Sequence, residues 1–386
     1  MRSEALRARS DDGPPRVTNM ELFFDLVYVF AITQLSDFLF RDPTFHRALE
    51  GLIMFGAVWW AWNYTAWATN WLDPESIPGA ALMIVLMAIS LVMSAAIPKA
   101  FDGRGIPFAF AYVALQVVRS GFMVWAFTGT DDRMRRNYAQ LLAWSCIAGV
   151  IWIVGAFVGH ELRLWLWLGA LAVDLAAPVH GFWLPGLGST PIEDWSLAGG
   201  HLAERCQLVL MIALGESVLR VGLTFSQKSG SPSVDAAFVV GFLICACLWA
   251  MYFLRYAERG ADAISSTAAD AARVGRTGYA YAHAMMVAGV ILVAVGIHLA
   301  IDNPDEGASA ASALTMLGGP ALFLAGLALF KWAVGHRSLR APLIAIGVLA
   351  VFGAFAAFGA DQLVVMVCAT LVVGAMAALA VTADSA

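Results

Sequence analysis

Long apolar runs alternate with short polar segments along almost the whole 386-residue chain. A run of about 20 apolar residues is long enough to cross the hydrocarbon core of a bilayer as an α-helix. On this rule the pattern predicts an all-α polytopic membrane protein with about twelve transmembrane helices. The predicted spans lie near residues 20–40, 48–70, 77–97, 106–128, 138–159, 163–182, 202–226, 235–255, 279–300, 312–333, 340–358 and 361–382.

The composition agrees with a membrane location. Hydrophobic residues make up 60% of the chain and charged residues 13%, whereas soluble domains carry about 25% charged residues. The arginines are scattered among the predicted loops without a basic stripe, so we predict no nucleic-acid partner. Membrane lipids are the partners that this composition implies. No motif indicates a cofactor or a metal site.

The first predicted span opens with two acids, Glu21 and Asp25, which lie one helical turn apart on the same face. A carboxylate in hydrocarbon costs about 3 kcal/mol even on a lenient insertion scale, so it needs a partner, water or a passing ion. No basic residue lies within this span, and the two acids therefore predict an excess of negative charge that attracts a cation. Alternatively, Glu21 is a helix-start residue favoured by the helix dipole, with Asn19 as the cap.

Four candidate residues lie at the start of the seventh predicted span or within it. His201, Glu204 and Arg205 are spaced i, i+3 and i+4 at its start, and Glu216 lies deeper, between Gly215 and Ser217. We predict a functional role for Glu216. The alternative for the first three is a structural ion pair, formed by Glu204 with Arg205 or with a partner on another helix.

Two further charges are predicted to lie at depth in the membrane, Arg119 in the fourth span and Asp174 in the sixth. Intramembrane charges usually pair with one another. We therefore predict that both serve as counter-ions in a charge network with Arg205, and that Asp25, Glu216, Arg119 and Arg205 all face the protein interior. His283, in the ninth span, is predicted to be a hydrogen-bonded core histidine.

Tryptophans are concentrated towards one end of the second predicted span. Aromatic residues at the end of a span are typical of the belt at the membrane–water interface. We expect such a belt here rather than a binding site. The residues concerned are Trp59, Trp60, Trp62, Trp67 and Trp71.

The Lys and Arg positions predict an orientation. If the amino terminus is cytoplasmic, 14 of the 23 Lys and Arg residues fall inside and 7 outside. Because positive residues favour the cytoplasmic side, both termini are predicted to be cytoplasmic. The segment 1–17 is polar, shows no cleavable signal, and is predicted to be a loose cytoplasmic lead-in.

A weak internal repeat relates the two parts of the chain. The segment that starts at Asp25 aligns with the one at Gln207, and the segment at Trp59 aligns with the one at Leu248. In both alignments, a similar number of residues separates the two segments. This similarity predicts a six-plus-six parallel repeat with a first half at 18–200 and a second half at 201–386.

Motifs at the starts of the two halves resemble the low temperature requirement A (LtrA) family of bacterial membrane proteins. They read Glu21-Leu-Phe-Phe-Asp25-Leu-Val-Tyr-Val-Phe-Ala-Ile-Thr33-Gln-Leu and His201-Leu-Ala-Glu204-Arg205-Cys-Gln-Leu-Val-Leu-Met-Ile-Ala-Leu-Gly215-Glu216-Ser217. The resemblance implies a multi-pass protein of the bacterial inner membrane that supports growth in the cold. It implies no settled biochemical activity.

The first span also resembles, more loosely, the pore-lining first helix of potassium channels that carry a Phe-Ser-Asp motif. The shared residues run from Phe23 through Asp25 and Tyr28 to Thr33, with Phe24 in place of the motif serine. This resemblance implies a pathway along the first helix of each six-helix unit.

These observations favour a permeation or transport protein for an ion or a small solute. Its predicted pathway residues are Glu21, Asp25, Thr33, His201, Glu204 and Glu216. One alternative is a membrane enzyme that acts on a lipid or isoprenoid, with His201, Glu204 and Glu216 as acid–base groups. Another is a scaffold without transport activity. The sequence leaves open whether copies of the chain form a homo-oligomer.

Overall fold

The computed structural model describes residues 3–7, 16–195, 197–228, 230–265, 268–336, 338–356 and 358–382. Within these ranges the chain forms fourteen α-helices, three short 3₁₀-helices, one π-helical segment and isolated bridges, without a β-strand. Arg2, Arg9 and Arg337, which contribute to the predicted orientation, lie outside the described residues. The all-α fold is as predicted.

The helices follow the predicted spans closely. They are α1 (Asn19–Arg41), α2 (Phe45–Ala68), α3 (Ile77–Ala96), α4 (Gly105–Phe127), α5 (Asp132–Ala156), α6 (His160–Ala176), α7 (Gly199–Lys228), α8 (Pro232–Phe253), α9 (Tyr256–Ser265), α10 (Ala268–Val274), α11 (His283–Asp302), α12 (Ala310–Ala333), α13 (Arg340–Ala356) and α14 (Gln362–Thr382). The π-helical segment, Gly275–Ala282, joins α10 to α11.

Each of the twelve predicted spans coincides with a helix. Among the described residues, nine helical segments are long and apolar enough to cross a membrane. The other three are α2, whose apolar run is diluted by tryptophan, asparagine and tyrosine, and the shorter helices α6 and α13 of 17 residues each. The structure is thus that of an all-α polytopic membrane protein.

Contacts divide the chain into two compact units. The first consists of Met1–Leu35, Leu49–Arg205 and Ser265–Arg273. The second consists of Ser36–Ala48, Cys206–Ile264 and Val274–Ala386. The two units are defined by contacts between residues, which do not test whether the chain contains a symmetric repeat. The repeat with halves at 18–200 and 201–386 therefore stays a prediction.

The first unit has an aromatic core. Helices α3, α4, α5 and α6 pack in succession. The rings of Trp152 and Trp167 lie 5.3 Å apart between their centroids, and both contact Phe108. The indole of Trp167 donates a 2.9 Å hydrogen bond to the main-chain oxygen of Trp152. Each of these large rings thus buries area and satisfies its own polar atom.

The second unit is built around close backbone contact between α11 and α12. A Cβ atom on Gly289 would lie 2.7 Å from the main-chain oxygen of Gly319, and one on Gly319 would lie 2.9 Å from that of Gly289. Small residues allow helices to approach this closely where apolar solvent provides little drive for association. The two glycines are therefore required by packing.

The tryptophans of α2 do not form the predicted interfacial belt. Trp59, Trp60, Trp62 and Trp71 are all buried. The indole of Trp62 donates to a carboxylate inside the protein rather than to the membrane–water interface. The belt prediction is wrong, and Trp62 takes part in the site described next.

Candidate functional site

Glu21 is held at the start of α1 by Thr18. The main-chain N–H and the hydroxyl of Thr18 donate to Glu21 Oε2 over 2.9 Å and 3.0 Å, and the Glu21 N–H reaches the Thr18 hydroxyl at 3.4 Å. This reciprocal arrangement is a capping box. The cap is therefore Thr18 rather than Asn19, and it fixes the buried carboxylate of Glu21 with Oε1 left for other partners.

Two residues of α7 meet the free oxygen of Glu21. Its Oε1 lies 2.9 Å from His201 Nε2 and 3.1 Å from a terminal nitrogen of Arg205. His201 and Arg205 are four residues apart, so both project from one face of the helix. All three side chains are fully buried.

Asp25 is the second acid of this cluster. Its Oδ1 lies 2.6 Å from Arg205 and accepts a 2.8 Å hydrogen bond from the Trp62 indole, while the Arg205 guanidinium lies 5.8 Å from the centre of the Trp62 ring. Among the described residues, Asp25 Oδ2 has no hydrogen-bond partner. The predicted excess of negative charge along the first span is wrong, because Arg205 provides the counter-charge from a different helix.

Arg7 adds a second positive charge, although it comes from the segment that was predicted to be loose. Its guanidinium lies 3.1 Å from Glu21 Oε2 and donates to the main-chain oxygens of Thr69 and Leu72 over 2.9 Å and 3.0 Å. These bonds hold residue 7 in place, so the prediction of a loose segment fails there. Two acids and two arginines make the cluster neutral when His201 is neutral.

Asn70 contacts the second ring nitrogen of His201. The Asn70 side-chain oxygen accepts the main-chain N–H of Ala198 over 2.6 Å, which orients its amide nitrogen towards His201 Nδ1 at 3.4 Å. The other ring nitrogen, Nε2, lies 2.9 Å from Glu21 Oε1 and 3.4 Å from the guanidinium of Arg7. His201 and Glu21 thus form a close buried pair.

This cluster does not suit a metal ion. His201 and Glu21 are metal-binding residue types, and they lie within hydrogen-bond distance of each other. However, Arg205 and Arg7 already place positive charge against the same carboxylate. A divalent cation there would meet strong repulsion.

Two predicted pathway residues lie apart from the cluster. Glu204 is exposed, and its Oε2 accepts a 3.3 Å hydrogen bond from the main-chain N–H of Val17. The pairing of Glu204 with Arg205 is therefore not formed. Thr33 is half-buried and donates to the main-chain oxygen of Val29 over 3.1 Å within α1.

Glu216 lies in a separate charge group in the second unit. Its Oε1 accepts a 2.9 Å hydrogen bond from Arg220 Nε one turn further along α7. The other side of that guanidinium lies 2.5 Å from Asp37 of α1. Glu216 is buried, whereas Asp37 is about one-third exposed. The sequence analysis did not select Arg220 or Asp37 as site residues. Two signals indicated them: Arg220 lies four residues after Glu216, and Asp37 lies near the end of the first predicted span.

Arg119 and Asp174 are buried but do not contact the acids or Arg205 in the cluster of α1 and α7. Arg119 hydrogen-bonds to Gln116 and, over 3.4 Å, to Thr65. Asp174 accepts from the Tyr112 hydroxyl over 2.7 Å and from the Trp152 indole over 3.0 Å. Their assignment to one network with Arg205 is thus not supported by direct contact.

The predicted burial holds for Asp25, Arg119, Arg205 and Glu216, each of which is at most 2% exposed. His283 is also a bonded core histidine, as predicted. Its two ring nitrogens lie 2.8 Å from the Tyr252 hydroxyl and from the main-chain oxygen of Gly278.

Comparisons with known proteins identify similar sequences. A family model described as bacterial low temperature requirement A protein (LtrA) matches residues 16–378. An uncharacterized protein of Rhizobium meliloti (strain 1021) is 38% identical over 309 residues, which are 79% of this chain and 75% of that protein. No solved structure gives a significant match. The family match includes both helices that carry the buried cluster.

Proposed function

This chain belongs to the bacterial low temperature requirement A family of membrane proteins, and from that premise we propose that it is a permeation or transport protein for a proton, another small cation or a small solute. Its working site in this proposal is the buried cluster of Glu21, Asp25, His201 and Arg205. Ionisable groups inside membrane helices are commonly parts of ion pathways and proton relays.

One observation carries the proposal. A histidine and a carboxylate, both fully buried, lie 2.9 Å apart inside a neutral group of charges. Histidine changes charge near physiological pH more readily than any other side chain. A proton that reaches Glu21 competes with His201 and Arg205 for the same oxygen, so its arrival changes which groups are paired. Because Glu21 lies on α1 and its partners lie on α7, a change in pairing changes how strongly the two helices are held together.

Asp25 contributes a second acceptor. Its Oδ1 is shared by Arg205 and Trp62, and its Oδ2 has no hydrogen-bond partner among the described side chains. A buried carboxylate oxygen without a donor is costly. In this proposal that oxygen interacts with the transported cation or with water that accompanies it.

The test is flux through the purified full-length chain in liposomes loaded with a pH-sensitive dye, with potassium or sodium gradients imposed across the bilayer. We expect flux above that of empty liposomes, with a dependence on pH. His201→Gln should lose the pH dependence because glutamine cannot take up a proton. His283→Gln is the matched control, since His283 is equally buried but bonds only neutral groups.

Two results would contradict the proposal. In the first, liposomes with the wild-type protein leak protons, potassium and sodium no faster than empty liposomes do. This result would exclude transport of these ions and favour a scaffold. Equal pH dependence in wild type and His201→Gln would exclude the cluster as the proton-responsive site.

We place the protein in the bacterial inner membrane with both termini cytoplasmic, as the distribution of Lys and Arg favours. Cysteine labelling from either side of intact cells tests this orientation. The six-plus-six repeat, homo-oligomer formation and a role in growth at low temperature also belong to the proposal. Growth of a deletion strain in the cold, rescued by the wild-type chain and not by His201→Gln, tests that role.

A further inference from the structure

Two buried arginines of the first unit, Arg163 and Arg119, are hydrogen-bonded in very different ways. Arg163 of α6 gives its guanidinium to five main-chain oxygens over 2.8–3.3 Å. Each of its three guanidinium nitrogens thus donates to at least one main-chain oxygen. Arg163 shows how this fold satisfies a buried arginine with its own backbone.

Arg119 of α4 is less well satisfied. It is fully buried, yet its Nε has no hydrogen-bond partner among the described residues. One terminal nitrogen makes only long bonds of 3.4 Å to Thr65 and to the main-chain oxygen of Ala61. The other is bonded to Gln116. The guanidinium therefore retains donor capacity towards the interior.

Two neighbours on the same helix face also carry unused polar atoms. Gln116 and Ser120 are four residues apart and share a face of α4, and Arg119 lies three residues after Gln116 and directly before Ser120. Both are buried, and within the described ranges neither Gln116 Nε2 nor Ser120 Oγ has a partner. Three potential donors thus remain unpaired along one stripe of α4.

No acid neutralises Arg119 by direct contact. None of the ion pairs formed by the described residues includes it. Asp174 is reached only indirectly, and its Oδ2 is already occupied by Tyr112 and Trp152. A buried charge without a paired counter-charge is strongly unfavourable.

We propose that Arg119, Gln116 and Ser120 bind a small inorganic anion of the size of chloride. The anion supplies the negative charge that the helices of this unit do not place against Arg119, and it accepts from donors that are otherwise unused. The three side chains are at most 1% exposed, and the Tyr64 ring lies 5.2 Å from the guanidinium. Enclosure of this kind favours a small anion over a lipid headgroup.

The experiment measures thermal unfolding of the full-length chain in detergent by tryptophan fluorescence. Sodium chloride is compared with sodium gluconate at equal ionic strength, which keeps general screening constant. An anion that binds only the folded state raises Tm as its concentration increases. We expect chloride, and not gluconate, to raise the Tm of the wild type.

Three variants locate the effect. Arg119→Gln should lose the chloride dependence, and Arg119→Lys should keep a weaker one because it retains the charge. Arg163→Gln is the matched control: it removes a buried arginine from the same unit, lowers Tm in both salts and retains the chloride effect. Calorimetric titration of chloride into wild-type protein in gluconate buffer should give one site per chain, whether or not Arg119→Gln folds.

The proposal is overturned if the wild type has the same Tm in chloride and gluconate and titration shows no binding. It is equally overturned if Arg119→Lys and Arg163→Gln lose the chloride effect to the same extent, since the anion would then not depend on Arg119.

Discussion

Arg205 lies 2.6 Å from Asp25, although 180 positions separate the two residues in the chain. Both side chains are fully buried. The same guanidinium reaches Glu21 at 3.1 Å, so one arginine of α7 connects both acids of α1. Removing either partner of such a pair leaves the other charge in a low-dielectric interior, which costs more than the pair itself contributes.

Asp25→Asn should therefore destabilise the protein by about 3 kcal/mol, the low end for a broken buried pair, because Glu21 still contacts Arg205. Unfolding in detergent measures this loss. Glu204→Gln is the control, since it removes a charge from α7 at an exposed position and should change stability little. Equal stability of Asp25→Asn and wild type would show that the contact between Asp25 and Arg205 does not contribute to stability.

Trp62→Phe removes the indole donor to Asp25 and keeps an aromatic ring. A hydrogen bond to a charged group contributes about 1.5–3 kcal/mol, and we expect a loss in that range. Trp165→Phe is the control, because Trp165 is 61% exposed. The expectation fails if both variants unfold at the wild-type temperature.

Arg220 should matter more than Asp37, although the two form a close ion pair. Arg220→Gln leaves the buried Glu216 without its cation and should cost about 3 kcal/mol. Asp37→Asn removes a partly exposed partner, for which about 0–1 kcal/mol is typical. Glu216→Gln combined with Arg220→Gln should be more stable than Arg220→Gln alone. A double variant that is less stable than either single variant would contradict this account.

Gly289→Ala should be strongly destabilising, because the new methyl group would lie 2.6 Å from the main-chain nitrogen of Phe323. Overpacking of this kind costs about 1–3 kcal/mol. Gly347→Ala is the control, since a Cβ there meets no atom within 4 Å, and a helical alanine should stabilise by about 0.5–1 kcal/mol. Similar unfolding temperatures for the two variants would refute close packing of α11 and α12.

The apolar runs of the sequence were sufficient to predict the all-α class and the position of every predicted span, because backbone hydrogen bonding in hydrocarbon leaves few alternatives to helices. The same reasoning predicted that Asp25, Arg119, Arg205 and Glu216 would be buried, since a short charged side chain at membrane depth must avoid lipid.

The partners of those charges depended on the tertiary structure. Whether Arg205 meets Asp25 depends on the direction in which α7 presents its face, and local spacing does not determine this direction. The indole of Trp62 could equally have faced the membrane interface, and Arg7 lies in a polar segment whose composition suggested no buried contact. Periodicity along one helix determines which residues share a face, but only the packing of helices that are distant in sequence determines which faces meet.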